Sequence, residues 1–278
     1  LLAILASFEA SSAIVRSVAK LTTAMAAAER LMAIAQSPIN IADPAQPAAL
    51  PASLPIVLSQ VGFSYDGGVP VLADLDLTVA PGEHIAIIGA SGIGKSSLLG
   101  LLLRLAEPQS GQITLGGVPL EKLALADLHA SMALLSQDSP LFNDTIRANL
   151  LIARPDADEP ALWTALRDAG IEGFVNALPD GIDSLLGEGG RTCSTGQARR
   201  LCLARALLSP APILLLDEPT TGLDRPAELA FFETLRSAAT GRTVILVTHA
   251  ALPEGTVQRV LTLCDGQLQA HRQGVALH

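Results

Sequence analysis

The run Gly89-Ala90-Ser91-Gly92-Ile93-Gly94-Lys95-Ser96 constrains this chain more than any other stretch. It fits G-x-x-x-x-G-K-[ST], a phosphate-binding loop that needs a strand before it and a helix after it. His84-Ile85-Ala86-Ile87-Ile88 supplies a short apolar run of strand type, and Ser97-Leu98-Leu99-Gly100-Leu101-Leu102-Leu103 reads as a helix. The glycines let consecutive backbone N–H groups turn inward as an anion-binding nest. The helix that follows aims its positive end at the same anion. In such a loop Lys95 reaches the β- and γ-phosphates of a nucleotide and the Ser96 hydroxyl holds Mg²⁺.

With 278 residues, one or two domains are expected, and a full α/β core can be buried. The net charge of −9 comes with no basic stripe, which argues against nucleic acid as a partner. Cys193, Cys202 and Cys264 are too widely spaced for a zinc pattern or a disulfide framework, which fits a reducing compartment. No signal peptide is evident. A mean hydropathy of +0.42 is high for a freely soluble enzyme and points to membrane attachment. The chain starts at Leu1 rather than Met and so reads as a piece of a longer polypeptide. Its apolar start, Leu1-Leu2-Ala3-Ile4-Leu5-Ala6-Ser7-Phe8, stops at Glu9, short of the roughly 20 residues a span requires. Arg16, Lys20 and Arg30 then punctuate helical sequence, so residues 1–36 read as the cytosolic end of a membrane helix with positive charge on the inner side. A soluble amphipathic helix is the alternative.

Pro38, Pro44, Pro47, Pro51 and Pro55 mark residues 37–55 as an extended linker, because proline at this density suits neither a helix nor a central strand. A second domain, residues 56–278, alternates strands and helices. Candidate strands are 56–61, 84–89, 131–136, 212–217, 243–248 and 258–264, which predicts an α/β fold with a largely parallel sheet. Residues from about 140 to 195 read as a helical insertion, with candidate helices Ile146–Ala153, Glu159–Gly170 and Ile171–Leu178 and the only tryptophan, Trp163.

Several strand ends carry chemistry. Ile213-Leu214-Leu215-Leu216-Asp217-Glu218 is a buried-strand run closing on two acids, and ligand groups gather at such carboxyl ends in open α/β sheets. Asp217 would orient Mg²⁺, through water, and Glu218 would act as the base that polarises the attacking water. Taken alone, two acids there are a common solvated end. Thr243-Val244-Ile245-Leu246-Val247-Thr248-His249 ends in a histidine able to bond the γ-phosphate or that water. His84, His129, His271 and His278 have no such setting. Gln137, after the apolar run 131–136, could ligate Mg²⁺ and the water through its amide oxygen. Cys193-Ser194-Thr195-Gly196-Gln197 precedes a helix that ends near Pro210, and Ser194 would cap that helix as a second anion-binding end. Cys202 reads as a core thiol.

Taken in order, Tyr65, Gly89–Ser96, Gln137, Ser194–Gln197, Asp217-Glu218, Asp224 and His249 resemble the A-loop, Walker A, Q-loop, signature, Walker B, D-loop and H-loop of ATP-binding cassette (ABC) transporter ATPases, over roughly residues 56–268. The resemblance implies a P-loop NTPase (RecA-like) cassette with a helical subdomain, using ATP and Mg²⁺. It implies that Tyr65 stacks on adenine and that Gly89, Ala90, Ser91, Gly92, Ile93, Gly94, Lys95, Ser96 and Ser97 cradle the phosphates. Ser96, Gln137 and Asp217 are the implied metal ligands. A head-to-tail cassette dimer is also implied. In it Ser194, Gly196 and Gln197 face the ATP held by the partner, and Thr221-Gly222-Leu223-Asp224 crosses the interface.

Residues 141–150 and Leu178-Pro179-Asp180-Gly181-Ile182-Asp183 resemble exporter cassettes, in which membrane helices precede the cassette in one polypeptide. Ala6-Ser7-Phe8-Glu9-Ala10, Gly187-Glu188-Gly189-Gly190-Arg191, Arg199-Arg200-Leu201 and residues 219–224 look most like the CydC branch. That branch pairs with a CydD-like half-transporter at the cytoplasmic face of the bacterial inner membrane, and its implied cargo is cysteine, glutathione or haem for cytochrome bd assembly. Other exporter cassettes, for lipid, peptide or drug, and a soluble non-transport ATPase stay open, as does a cassette that binds ATP without hydrolysing it. The usual signature is Leu-Ser-Gly-Gly-Gln, and Cys193 and Thr195 depart from it. A stiff β-branched residue in a glycine position is expected to weaken the grip on the partner's nucleotide.

Overall fold

Residues 85–88, 213–216 and 244–247 are apolar at every position, the pattern of parallel strands covered on both faces. In the computed structural model they form β3 (His84–Ile88), β7 (Ile213–Asp217) and β8 (Thr243–Thr248), with β8 parallel to and between the other two. Parallel strands β6 (Met132–Leu135) and β9 (Arg259–Cys264) extend the sheet, and antiparallel β10 (Gln267–Ala270) completes the order β10-β9-β3-β8-β7-β6. Successive side chains point to opposite faces. Leu214, Leu216, Val244 and Leu246 enter one core with α7 (Thr195–Leu208) and α8 (Arg225–Ala238). Ile213, Leu215, Ile245 and Val247 enter a second core with α2 (Lys95–Leu102).

A second sheet closes that core. It contains β1 (Ile56–Phe63), β2 (Leu72–Val79), β4 (Ser110–Leu115) and β5 (Val118–Pro119) in the order β2-β1-β4-β5, antiparallel throughout. The expectation that the strand at 56–61 joins a largely parallel sheet is therefore corrected. Only residues 64–71 connect β1 to β2, and a parallel crossover needs a dozen or more. Between the sheets lies α3 (Leu125–Ala130) in sequence, ahead of β6.

The helical insertion contains α4 (Ile146–Leu151), α5 (Glu159–Asp168) and α6 (Glu172–Asn176), each slightly shorter than the apolar pattern suggests. Thr145 caps α4 and Asp158 caps α5, each accepting a backbone N–H three residues on. Past the end of α5, Gly170 turns the chain at φ 67°.

The described residues are 2–36, 41–65, 67–187, 193–250 and 252–271. Pro38, residues 188–191 of the CydC-like Gly187–Arg191 stretch, and His278 lie outside them. The chain divides into two units, Leu1–Ala42 and Asp43–His278. The first contains α1 (Leu2–Ala35), a 34-residue helix on which Leu21, Met25 and Met32 are exposed. Among the described residues no helix is long and apolar enough to cross a membrane. The proline-rich stretch belongs in its later part to the second unit. There the Asp43 carboxylate accepts the Leu125 N–H, Ala48 bridges Leu123, and Leu54 is buried.

Candidate active site

Parallel register sets Ile88 beside Thr248 and Asp217 beside Val247, so the chain leaves β3, β7 and β8 along one edge of the sheet. Gly89, Glu218 and His249 stand there, at the carboxyl ends where open α/β sheets bind ligands. Two glycines of the loop are fixed by their surroundings. A Cβ on Gly89 would lie 2.9 Å from the Leu263 carbonyl oxygen. One on Gly94, at φ 110°, would lie 2.5 Å from Cγ1 of Val71. Gly94 also begins α2 with no side-chain cap, which leaves the first-turn N–H groups of that helix for an anion.

Lys95 is buried, and its Nζ donates to the Gly89 and Ala90 carbonyl oxygens at 2.8 and 3.0 Å. The same Nζ lies 3.4 Å from Oε1 of Glu218. The other carboxylate oxygen of Glu218 accepts from His249 Nδ1 at 2.7 Å and from the His249 N–H and Thr248 hydroxyl at 3.3 Å. Glu218 itself sits at φ 47°, a left-handed conformation uncommon outside glycine, and its N–H donates to the Val247 carbonyl. The strand thus ends in a kink that turns the carboxylate toward Lys95 and His249. Thr248 was not among the residues predicted for the site; a polar residue closing an apolar strand beside His249 was the signal for it.

Asp217 is buried, and its Oδ1 has no hydrogen-bond partner. Burial pushes its carboxyl above the usual carboxylate range. The Ser96 hydroxyl bonds to it and acts the other way, Glu218 and Asp138 add to the rise, and Lys95 opposes it. An orphaned buried carboxylate oxygen beside a hydroxyl is an oxygen-only donor set that fits Mg²⁺. This ion typically takes one or two carboxylates and keeps its other positions for water and substrate phosphates. Among the described residues no three His, Cys, Asp or Glu side chains gather as a metal cage. Gln137 is exposed on the turn after β6, the strand next to β7, and that turn carries the Asp138 charge that Asp217 feels.

Tyr65 is 60% exposed, edge-on to Phe63, and its hydroxyl shares a 2.9 Å hydrogen bond with Ser97 in the first turn of α2. Ser194 caps α7 in a full capping box, accepting the Gln197 N–H while the Gln197 side chain accepts the Ser194 N–H. Ser194 and Thr195 are exposed at this helix end. Thr195 is the first residue of α7, outside the positive-φ region. The expectation that threonine lacks the backbone freedom this position requires is thereby corrected: helical angles suit any L-residue. Gly196 and Gln197 are likewise helical. Asp224 caps α8 by accepting the Ala227 N–H. Cys202 is buried, and burial raises its thiol pKa. His84 and His129 bond backbone carbonyls and His271 bonds the Thr262 hydroxyl, in keeping with structural roles.

A glycine-rich loop between a central parallel strand and a helix, with adjoining acids on the next strand but one, defines a P-loop NTPase. The sequence model of the family described as "ABC transporter" matches residues 72–221, just over half of the chain, and one for an AAA domain matches residues 191–252. This chain belongs to the ABC transporter family and is an ATPase cassette of exporter type. The ATP-dependent lipid A-core flippase of Chromobacterium violaceum is 38% identical over 255 residues, covering 91% of this chain and 43% of that protein. The glutathione/L-cysteine transport system ATP-binding/permease protein CydC of Escherichia coli is 37% identical over 265 residues, covering 95% of this chain and 46% of that protein. A bacterial Atm1-family ABC exporter solved with ATP bound superposes with a TM-score of 0.79 at 35% identity, covering 88% of this chain and 42% of that one. The chain therefore spans under half the length of these relatives.

Proposed function

We propose that this chain is the ATP-driven motor of a membrane exporter, at the cytoplasmic face of a bacterial inner membrane. The observation that carries the reading is the convergence of Lys95, Asp217, Glu218 and His249 at one sheet edge. Lys95 meets the β- and γ-phosphates. Tyr65 borders the adenine side, and the backbone of residues 89–94, with the Ser97 hydroxyl, wraps the phosphates. Glu218, once released from Lys95, accepts the proton of the attacking water, and His249 holds the carboxylate and the γ-phosphate in register. Ser96 and Gln137, with Asp217 through water, would hold Mg²⁺, which neutralises phosphate charge when bound. The exposed, capped end of α7 at Ser194, Gly196 and Gln197 suits the γ-phosphate of ATP held by a second cassette, with Asp224 beside that interface. The partner on this reading is a second half-transporter.

Within the exporters we assign it to the CydC type, paired with a CydD-like subunit and moving cysteine or glutathione. The support is the 95% coverage of this chain by the Escherichia coli relative and the segments that resemble that branch. A lipid flippase is the second reading, favoured by 38% identity to the lipid A-core flippase. Vesicles containing the full transporter separate them. ATP-dependent accumulation of labelled glutathione or cysteine supports the first. ATPase stimulation by lipid A without thiol uptake replaces it with the second.

A further inference from the structure

We propose that Arg205 is a positioning residue: its guanidinium clamps the base of the turn that presents Gln137, and so fixes that amide for the Mg²⁺ of the ATP site. The proposal rests on the reading of Gln137 as a metal ligand. Residues Ser136 to Ser139 make a tight turn with Gln137 and Asp138 at its tip. The Ser139 N–H donates to the Ser136 carbonyl at 3.1 Å, the Ser136 N–H donates to the Ser139 hydroxyl at 2.9 Å, and the two hydroxyls share a bond of 3.0 Å. The turn follows β6 at the edge where β7 ends in Asp217, since Leu135 pairs with Leu216. Its base closes on itself, so its orientation is set by whatever grips that base. Helix α7 does so. Arg199, Cys202 and Arg205 recur every three residues, along one side of the helix. Arg199 Nη1 donates to the Ser136 carbonyl at 3.5 Å, the Cys202 thiol to the Ser139 carbonyl at 3.4 Å, and Arg205 Nη1 to the Pro140 carbonyl at 2.9 Å. The first is at the limit of a hydrogen bond and the second has a weak thiol donor, so Arg205 carries the grip. Its Nε donates to the Asn149 carbonyl at 3.0 Å and its Nη2 to the Asn149 side-chain oxygen at 2.9 Å. Asn149 is buried in α4 and bonds both ways to Phe142, accepting its N–H at 2.8 Å and donating to its carbonyl at 3.0 Å. The Arg205 Cζ lies 5.6 Å from the centroid of the Phe142 ring. One planar fork thus joins α7, α4 and residues 140–142, directly behind the turn. It is spent on loop and amide oxygens rather than on a carboxylate. A lysine, with a single ammonium, cannot hold that geometry.

The test uses Arg205→Met, Arg205→Lys and Gln137→Ala in the full-length transporter, with free Mg²⁺ titrated at saturating ATP. Arg205→Met is expected to raise the Mg²⁺ concentration for half-maximal turnover between about 3-fold and 10-fold. That is the weak end for a group that orients a metal ligand, because the turn keeps its own hydrogen bonds. Arg205→Lys should shift it in the same direction by less, and it serves for the comparison if Arg205→Met does not fold. Joined to Gln137→Ala, either change should add no further shift, since the amide it positions is gone. Hydrogen exchange, measured without Mg²⁺ or nucleotide, gives a readout apart from activity: the Ser139 amide should exchange faster in Arg205→Met than in the wild type. A wild-type Mg²⁺ requirement and wild-type Ser139 exchange in both Arg205 variants would overturn the proposal. So would shifts that multiply with that of Gln137→Ala, which would place the role of Arg205 elsewhere. If Gln137→Ala itself keeps the wild-type requirement, the metal reading of Gln137 fails and takes the proposal with it. If Gln137→Ala raises it and Arg205→Met does not, the clamp alone fails.

Discussion

Glu218→Gln is expected to tighten nucleotide binding while it stops turnover. Lys95 is divided between two loop carbonyls and the Glu218 carboxylate, and an incoming phosphate must take it from that carboxylate. At the observed 3.4 Å the attraction is about 1.2 kcal/mol in water-like surroundings and about 5 kcal/mol at an effective dielectric near 20. Both side chains are nearly buried, so the screened value is too small, and desolvation of the two ions offsets part of the larger one. If about 1.4–2.8 kcal/mol survives, the variant, which has no ion pair to break, binds nucleotide with a Kd tenfold to a hundredfold lower. Removing a negative charge beside the phosphates acts in the same direction. Mg-ADP is the ligand to titrate, because closure of two cassettes around ATP would tighten apparent binding by itself. Calorimetric titration of wild type and variant, with phosphate release from ATP measured in parallel, tests both halves. A folded Glu218→Gln protein that binds Mg-ADP no better than wild type would refute the interlock. Undiminished phosphate release would remove Glu218 as the base.

Lys95→Ala is expected to act oppositely in the same titration, raising Kd at least tenfold, since charge-assisted hydrogen bonds to phosphate are worth about 1.5–3 kcal/mol each. Asp217→Asn should stabilise the chain by about 1–3 kcal/mol above the carboxylate range, because the amide has no charge to bury, while abolishing Mg²⁺-dependent turnover. The sign follows from a carboxyl held above its ordinary pKa. Its contribution to stability is complete below the usual carboxylate range and is lost as pH rises through the raised value. Melting temperatures measured across that range should converge at low pH and separate above it; parallel curves would contradict the assignment. Gly94→Ala combines a left-handed backbone with a contact against Val71 and should lose about 2–5 kcal/mol in denaturant unfolding. A loss below 1 kcal/mol would mean the loop relaxes freely.

The parallel half of the fold was legible because burial on both faces writes itself as unbroken apolar runs, as in Leu214-Leu215-Leu216. The antiparallel half was not, because a strand with one wet face mixes acids among its leucines. β2, Leu72–Val79, alternates buried Leu75, Leu77 and Val79 with exposed Asp74, Asp76 and Thr78, a period-two signal obscured by its acids. β1 was found as a strand but given the wrong neighbours, since an eight-residue run carries no record of its partners. For the site, motif order located Lys95, Ser96, Asp217, Glu218 and His249 without geometry. It could not show that Glu218 is held by Lys95 and His249, because those contacts join residues far apart in the chain. Thr195 was misjudged for a related reason. A glycine in a motif can serve backbone freedom or closeness of approach, and only the helical angles at 195 separate the two.

The left-handed backbone at Glu218 has a consequence for how this position would drift. Glycine, and to a lesser degree asparagine, occupies φ near 47° with less strain than a glutamate does. Selection for thermal resilience alone would therefore move residue 218 away from glutamate, and the survivors would be sturdier chains that no longer hydrolyse ATP. A glutamate kept in this pose marks a lineage in which catalysis, rather than folding, has decided the residue. In a diverged copy of this cassette, glycine or asparagine at position 218 would be the early sign that hydrolysis had been given up.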